Sequence, residues 1–240
     1  MAKSEKQRSC RHVLLSVRAS SNRWIQERKR DQYYRLAKVK GYRSRASYKL
    51  KQAIKTYHIF REGQKVVDLG ASPGSWVQVA REIVGPEGIV VGVDIKPISP
   101  IPYPNVRLLE MDIYNQDLIP RILDELGGHA DALLSDLSPQ IIGAWDVDHA
   151  RQIDLARRAI DVAKNILLPK GNALIKLFHG PELREVQDSA EKLFYQSRLY
   201  KPQASRPESS EIYFLGLGLK KWVASGRVPP SSGLDAKIER

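Results

Sequence analysis

Lys65-Val66-Val67-Asp68-Leu69-Gly70-Ala71-Ser72-Pro73-Gly74-Ser75-Trp76 is an apolar run that meets a turn of small residues, and Val77-Gln78-Val79-Ala80 continues it in helical rhythm. A strand ending in such a turn is a nucleotide-binding device. Glycine lets a ligand approach the backbone, and the helix N-terminus offers free N–H groups. In a dinucleotide site those groups meet a pyrophosphate, and the fingerprint is G-x-G-x-x-G. Here the turn reads G-x-x-x-G from Gly70 to Gly74, with Asp68 two residues ahead of it. A carboxylate there repels phosphate and suits a cationic amino-acid cofactor. The expected ligand is S-adenosylmethionine (SAM) rather than NAD.

Downstream, strand and helix patterns alternate. Strands are expected over 65–69, 88–94, 106–110, 131–135 and 171–178, and near 197–201 and 211–219. Helices are expected over 75–84, 116–126, 148–168 and 181–195. This alternation predicts an α/β chain with a mostly parallel, doubly wound sheet and helices on both faces. Upstream, Asn22 to Lys38 suits a short helix that Gly41 ends, and Ser44 is placed as the N-cap of a helix to about Tyr57. Ala46, Leu50, Ala53 and Ile54 form its apolar face. Residues 223–240, rich in Ser, Pro and Gly, read as a loose tail.

The chain has 240 residues, 42% of them hydrophobic, enough for one domain with a sizeable core. No apolar run approaches the ~18 residues of a membrane span. The single Cys10 excludes an internal disulfide and fits a reducing, cytoplasmic setting. Charge is unevenly placed. Residues 1–49 hold 15 Lys+Arg and 3 Asp+Glu, a net of +12, whereas residues 50–240 hold 24 of each. The expected organisation is a basic arm (1–43), a catalytic domain (44–222) and the tail (223–240). A basic arm on a neutral domain is an electrostatic footprint for nucleic acid. Trp24, Tyr33, Tyr34, Tyr42 and Tyr48 interleave with its charges, which favours an ordered RNA surface over DNA binding. A small-molecule substrate needs no such field.

Ligands of doubly wound sheets bind beyond the carboxyl ends of the strands. Asp94 ends Val90-Val91-Gly92-Val93, 24 residues after Gly70, where a carboxylate grips ribose hydroxyls. Asp112 follows the next strand and is placed to reach the adenine side. Asp136 follows Leu133-Leu134-Ser135, and Lys176 interrupts the apolar run Ala173 to Phe178. A lysine inside an apolar strand is costly unless its charge is paired or used.

With these residues in hand, the chain resembles the FtsJ/RrmJ family of RNA ribose 2′-O-methyltransferases from about Trp24 to Lys220. The matching segments are Gly41 to Lys49, Asp68 to Trp76, Leu134 to Pro139, Ile175 to Gly180, and Ser205-Arg206 through Glu211-Ile212-Tyr213. The resemblance implies a seven-stranded, Rossmann-like methyltransferase sheet whose last strand is antiparallel. It implies a Lys–Asp–Lys–Glu tetrad, here Lys49, Asp136, Lys176 and Glu211. The cofactor contacts it implies are Gly74, Trp76, Asp94, Asp112 and Asp136, with no metal. The implied substrate is a ribose in RNA, foremost a uridine of 23S/large-subunit rRNA. A tRNA anticodon-loop ribose is the alternative, because Asp31-Gln32-Tyr33-Tyr34-Arg35 resembles the tRNA-modifying branch. A non-catalytic RNA-binding protein is the reading that the intact tetrad opposes. Departures from bacterial members are Ser72 and Ser75 in the turn, His179 after Lys176, and the longer basic arm.

The chemistry suits these residue types. A ribose 2′-OH is a poor nucleophile until it loses its proton, so the enzyme needs a base and in-line alignment. Lys176 serves as base only when neutral. Burial and the Lys49 cation favour the neutral form, and Asp136 and Glu211 oppose it. Lys49 is placed either to steer the 2′-oxygen or to stabilise developing negative charge. Asp136 would orient Lys176 near the methionine amine, and Glu211 would hold one of the lysines.

Overall fold

The computed structural model describes residues 31–220. The first 30 residues and the stretch from 221 onward, which include most of the expected arm and the whole tail, lie outside the described residues. The elements run in the order α1 (Gln32–Val39), α2 (Ser47–Tyr57), β1 (Lys65–Leu69), α3 (Ser75–Val84), β2 (Ile89–Asp94), β3 (Val106–Glu110) and α4 (Leu118–Leu126). They continue with β4 (Ala130–Ser135), α5 (Trp145–Ile166), β5 (Leu167–Phe178), α6 (Leu183–Glu191), β6 (Phe194–Tyr200) and β7 (Glu211–Leu219).

All seven strands form one sheet of order β3-β2-β1-β4-β5-β7-β6. Strands β1 to β5 pair in parallel, and β7 inserts antiparallel between β5 and β6. This is the seven-stranded methyltransferase sheet. The strand order reverses beside β1, so a crevice opens at the carboxyl ends of β1, β2 and β4, the switch point where such sheets bind ligands. The two-residue alternation of the strands divides the core. Val67, Phe214 and Phe194 join α4 and α5 through Leu118, Ile122 and Ile153 on one face. Val66, Tyr213 and Leu215 join α2 and α3 through Leu50, Trp76 and Val84 on the other. Ala37 and Tyr42 belong to this second cluster, so residues 31–43 already pack on the domain.

Several boundaries differ from the sequence expectation, each for a local reason. Ser44 does not cap α2, which starts at Ser47 after a turn. The Ser44 hydroxyl instead accepts from the Ala46 N–H (3.2 Å) and bonds the Ser75 hydroxyl (2.7 Å), stitching this turn to the start of α3. Helix α5 begins at Trp145 rather than 148 and ends at Ile166. Strand β5 starts at Leu167, ahead of Pro169 and Gly171, because it bulges there: Ala130 pairs with Leu167, but Ala132 pairs with Asn172. Helix α6 stops at Glu191, short of 195, because Phe194 already pairs in the sheet opposite Leu219.

Candidate active site

The site is built on two sequence-distant pieces, the β1–α3 turn and the β5–β7 strand pair. In the turn, Gly70 has φ +78°, and a Cβ there would lie 2.8 Å from the backbone nitrogen of Leu137. Only glycine suits that conformation beside so close a backbone. The Gly70 and Ala71 N–H groups donate to the Val93 carbonyl (2.9 and 3.1 Å), and the Asp136 N–H donates to the Leu69 carbonyl (3.1 Å). The ends of β1, β2 and β4 are thus laced together.

Over these ends lies a cleft of about 840 Å3, lined by Gly70, Ser72, Asp94, Asp112, Tyr114 and Asp136 among others. Asp94 accepts from the Ser72 N–H (2.9 Å) and the Lys96 N–H (2.8 Å), which fixes its carboxylate at the rim. Asp112 is fixed in the same way by the Tyr114 N–H (2.9 Å). Gly74 and Trp76 do not line this cleft. The Gly74 turn faces Arg43, whose guanidinium donates to the carbonyls of Pro73 (2.9 Å), Ser99 (2.7 Å) and Pro100 (2.8 Å). The Trp76 indole N–H donates to the Ala46 carbonyl (2.8 Å), and its ring packs 5.9 Å from that of Tyr213.

Asp68 departs from its sequence reading. It is wholly buried, and neither carboxylate oxygen has a hydrogen-bond partner among the described residues. Burial, then Asp136 and Asp94, push its carboxyl well above the usual carboxylate range. Its charge is not presented to a ligand, and the acidic face of the cleft comes from Asp94, Asp112 and Asp136 instead.

The four residues of the expected tetrad converge. Lys176 Nζ lies 3.1 Å from Asp136 Oδ1, donates to the Asp136 carbonyl (2.8 Å) and lies 3.8 Å from Glu211 Oε1. Lys49, carried on α2, donates to both Glu211 oxygens (2.9 and 2.8 Å). The result is an alternating line, Lys49–Glu211–Lys176–Asp136. Its cations are buried, Lys176 to 4% exposure, and such charges persist only when paired. Burial alone would raise the Asp136 carboxyl, but Lys176, Lys49 and the Tyr213 hydroxyl together hold it below its usual range.

Sequence reasoning gave Tyr213 no role. Its hydroxyl donates to Asp136 Oδ1 (2.7 Å). Burial, then Asp136 and Glu211, push the phenol well above its usual range, so it stays a donor. The signal was present: two residues after Glu211 on a strand returns to the same face, and Tyr213 sits opposite Lys176 in the register.

A second cavity, of about 470 Å3, opens beside Lys49 and Glu211 and is lined by Ser44, Arg45, Arg206 and Ser209 as well. Burial and then the Arg206 cation pull Arg45 below its usual range. The ion-pair line therefore runs between two openings. Asp136 lines the acidic cleft, and Lys49 and Glu211 line a cavity that carries two arginines.

A model of the FtsJ-like methyltransferase family matches residues 42–219. The chain belongs to that family. Among curated relatives it is 46% identical over 203 residues to a ribosomal RNA large subunit methyltransferase E of Methanothermobacter thermautotrophicus, covering 83% of this chain and 96% of the relative. The enzyme of the same name from Methanocaldococcus jannaschii is 41% identical over 211 residues, covering 86% of each. A Plasmodium falciparum chain assigned as a ribosomal RNA methyltransferase has a similar crystal structure, with TM-score 0.65 and 25% identity over 74% of this chain and 98% of that one. This methyltransferase uses SAM as its methyl donor. The cleft fits that cofactor: Gly70 lets the turn close against the Leu137 backbone at its floor, and the three carboxylates Asp94, Asp112 and Asp136 line it for a ligand rich in hydroxyl and amino donors. Among the described residues no cluster of His, Cys, Asp and Glu is arranged to hold a metal ion, and no helix is long and apolar enough to cross a membrane.

Proposed function

We propose that this methyltransferase modifies a ribose 2′-oxygen of large-subunit ribosomal RNA. The observation that carries the chemistry is the Lys49–Glu211–Lys176–Asp136 line between an acidic cleft and a cavity with two arginines. The printed names of the relatives support the target. Bound SAM supplies an activated methyl group, so the chain's own residues need only position the acceptor and manage its proton.

In this reading Asp94 accepts from the ribose hydroxyls of the cofactor, Asp112 faces its adenine side, and Asp136 lies near its amine. Gly74 and Trp76 act indirectly, by shaping the turn and supporting Tyr213. Lys176 takes the proton of the target 2′-hydroxyl, having first released its own to bulk solvent. Asp136 and Glu211, both within 4 Å, orient its amino group. Tyr213 and Lys176 share Asp136 Oδ1, so two donors hold that carboxylate in place. Lys49, bound to both oxygens of Glu211, holds that carboxylate in place and presents a cation beside the acceptor. The Asp31–Arg35 segment that suggested a tRNA substrate serves the fold, since Asp31 caps α1 through the Tyr33 and Tyr34 N–H groups and pairs with Arg45. An rRNA substrate and the single cysteine support a cytoplasmic setting.

The test is methyl transfer from labelled SAM to ribosomal particles and to tRNA from cells lacking this protein, followed by ribose-methylation mapping. The expected result is one new 2′-O-methyl group in large-subunit rRNA and none in tRNA. Methylation of tRNA alone would reverse the assignment.

A further inference from the structure

The loop after Asp136 leaves the acidic cleft and then exposes a row of large apolar side chains. Ser138, Pro139 and Gln140 still wall the cleft. Beyond them Ile141 and Ile142 are each 57% exposed, Trp145 47% and Val147 41%. This row is held in a fixed shape. The buried Asp148 carboxylate accepts from the Ile142 N–H (3.0 Å) and the Gly143 N–H (2.9 Å). Trp145 is propped from beneath. Its indole stacks on the His149 ring (5.6 Å, 21° between planes) and on the Phe178 ring (6.2 Å, 16°). His149 is itself buried, with Nε2 2.6 Å from a Glu182 oxygen. Gly180 makes room for that ring, since a Cβ there would come within 2.4 Å of it.

The prop leads back to the tetrad. Phe178 stands two residues after Lys176 on β5 and directly opposite Glu211 in the sheet register. A rigid aromatic shelf therefore adjoins the reacting groups, at the rim where a polynucleotide must pass to present a ribose to Lys176. An exposed indole on such a shelf offers the flat, sequence-tolerant platform on which unpaired bases stack. Aliphatic neighbours on both sides of it exclude water without demanding hydrogen bonds.

We propose that Trp145, braced by Phe178 and His149, is a positioning residue on which a base of the RNA substrate stacks, at or next to the nucleotide being methylated. The inference rests on the RNA 2′-O-methylation reading above. Loss of one stacking platform weakens binding by roughly 10- to 100-fold. Trp145→Ala should lower kcat/KM for ribosomal particles by about that factor, mainly through KM, and Trp145→Phe should restore most of it. SAM affinity should stay at the wild-type value in both variants, and both should remain folded at the assay temperature. Binding of a single-stranded oligoribonucleotide should quench the tryptophan fluorescence of the wild type. An abasic oligomer of equal length, which keeps the phosphates but lacks the rings, should not. Measured in a Trp24→Phe background, which removes the indole of the basic arm, Trp145→Phe should lose most of the quench.

Quenching that persists undiminished in Trp145→Phe, or a Trp145→Ala enzyme within twofold of wild type, would overturn the stacking assignment while leaving the methyltransferase reading intact. Equal quenching by the abasic oligomer would overturn it too. A wild-type protein that neither binds nor methylates RNA would remove the reading beneath it, and the stacking with it.

Discussion

In the proposed mechanism Lys176 is the residue on which the chemistry turns. Its ammonium lies between two carboxylates in a strand segment, Ala173 to Phe178, otherwise made of Ala, Leu, Ile and Phe, a position that costs folding energy unless the charge is paired or used. Removing a positioned base typically slows a reaction by about 10²–10⁴-fold. Lys176→Ala should bind SAM normally and lose methyl transfer by that order, measured in single turnovers on ribosomal particles. Lys176→Arg should fail as well, because a guanidinium cannot supply a neutral base near physiological pH. Near-wild-type turnover by the arginine variant would leave Lys176 only an electrostatic role. Two neighbouring aspartates respond to pH with opposite sign. Asp136 is held below its usual range, so its contribution is present above the unfolded carboxylate pKa of about 4 and is lost as pH falls through the lowered value. Asp68 is raised, so the native state keeps a proton that the unfolded chain has released, and stability falls as pH rises from about 4 through the raised value. Asp68→Asn removes that titration at nearly constant shape. In the free protein its advantage over wild type should grow by up to about 1.4 kcal/mol per pH unit across that window and vanish below pH 4. Denaturant midpoints at pH 4 and pH 8 measure it, and an equal difference at both would contradict the buried, protonated state of Asp68.

At the scale of elements, the β1–turn–α3 unit shows what a sequence can state on its own. Lys65–Leu69 and Ser75–Val84 fall where period and glycine spacing put them, because Val66, Val67 and Leu69 carry the strand and the turn needs residues without bulk. Gly70→Ala should weaken SAM binding and lower stability, together by roughly 1–3 kcal/mol. The reason is that an L-side chain at φ +78° must also push the Leu137 backbone aside. Calorimetry and thermal unfolding would register both effects, and wild-type values for both would show the loop after β4 to be yielding. The four tetrad residues were legible because each sits in its own local pattern, whereas their connections were not. That Lys49 holds Glu211 depends on how α2 crosses the sheet, and that Tyr213 holds Asp136 depends on the β5–β7 register. The start of β5 was illegible because Pro169 and Gly171 look like breakers, while the bulge against β4 absorbs them. Asp68 was misread because sequence gives its place before the turn but not its depth. Whether a carboxylate meets a ligand or the core is decided by which face of β1 it occupies.

For the whole molecule, the question is how a domain with balanced charge finds a polyanion. Residues 50–240 carry no net charge, and the excess of +12 lies within residues 1–49. Part of it is already built into the domain: Lys49 in the tetrad, Arg45 on the second cavity and Arg43 across the turn carbonyls. In the proposed mechanism those cations act locally, at the ribose and at the cofactor turn. Residues 1–22 contain five further Lys+Arg and one Glu, and nothing in the tetrad requires them. Their contribution should be long-ranged, through phosphate neutralisation and the release of counterions. Each phosphate contact adds about 0.7 to 0.9 to the slope of log K against log salt, so deleting residues 1–22 should flatten that slope by up to roughly 3.5 to 4.5. RNA affinity should fall most at low salt, where the field reaches furthest. SAM affinity should stay unchanged, because the cleft is lined only by residues from β1 onward. Filter-binding titrations with rRNA between low and physiological salt, paired with calorimetry for SAM, separate these effects. A salt slope equal to that of the full chain would show that the first 22 residues do not engage phosphates, and would leave the electrostatic capture of RNA to the cations from Arg23 onward.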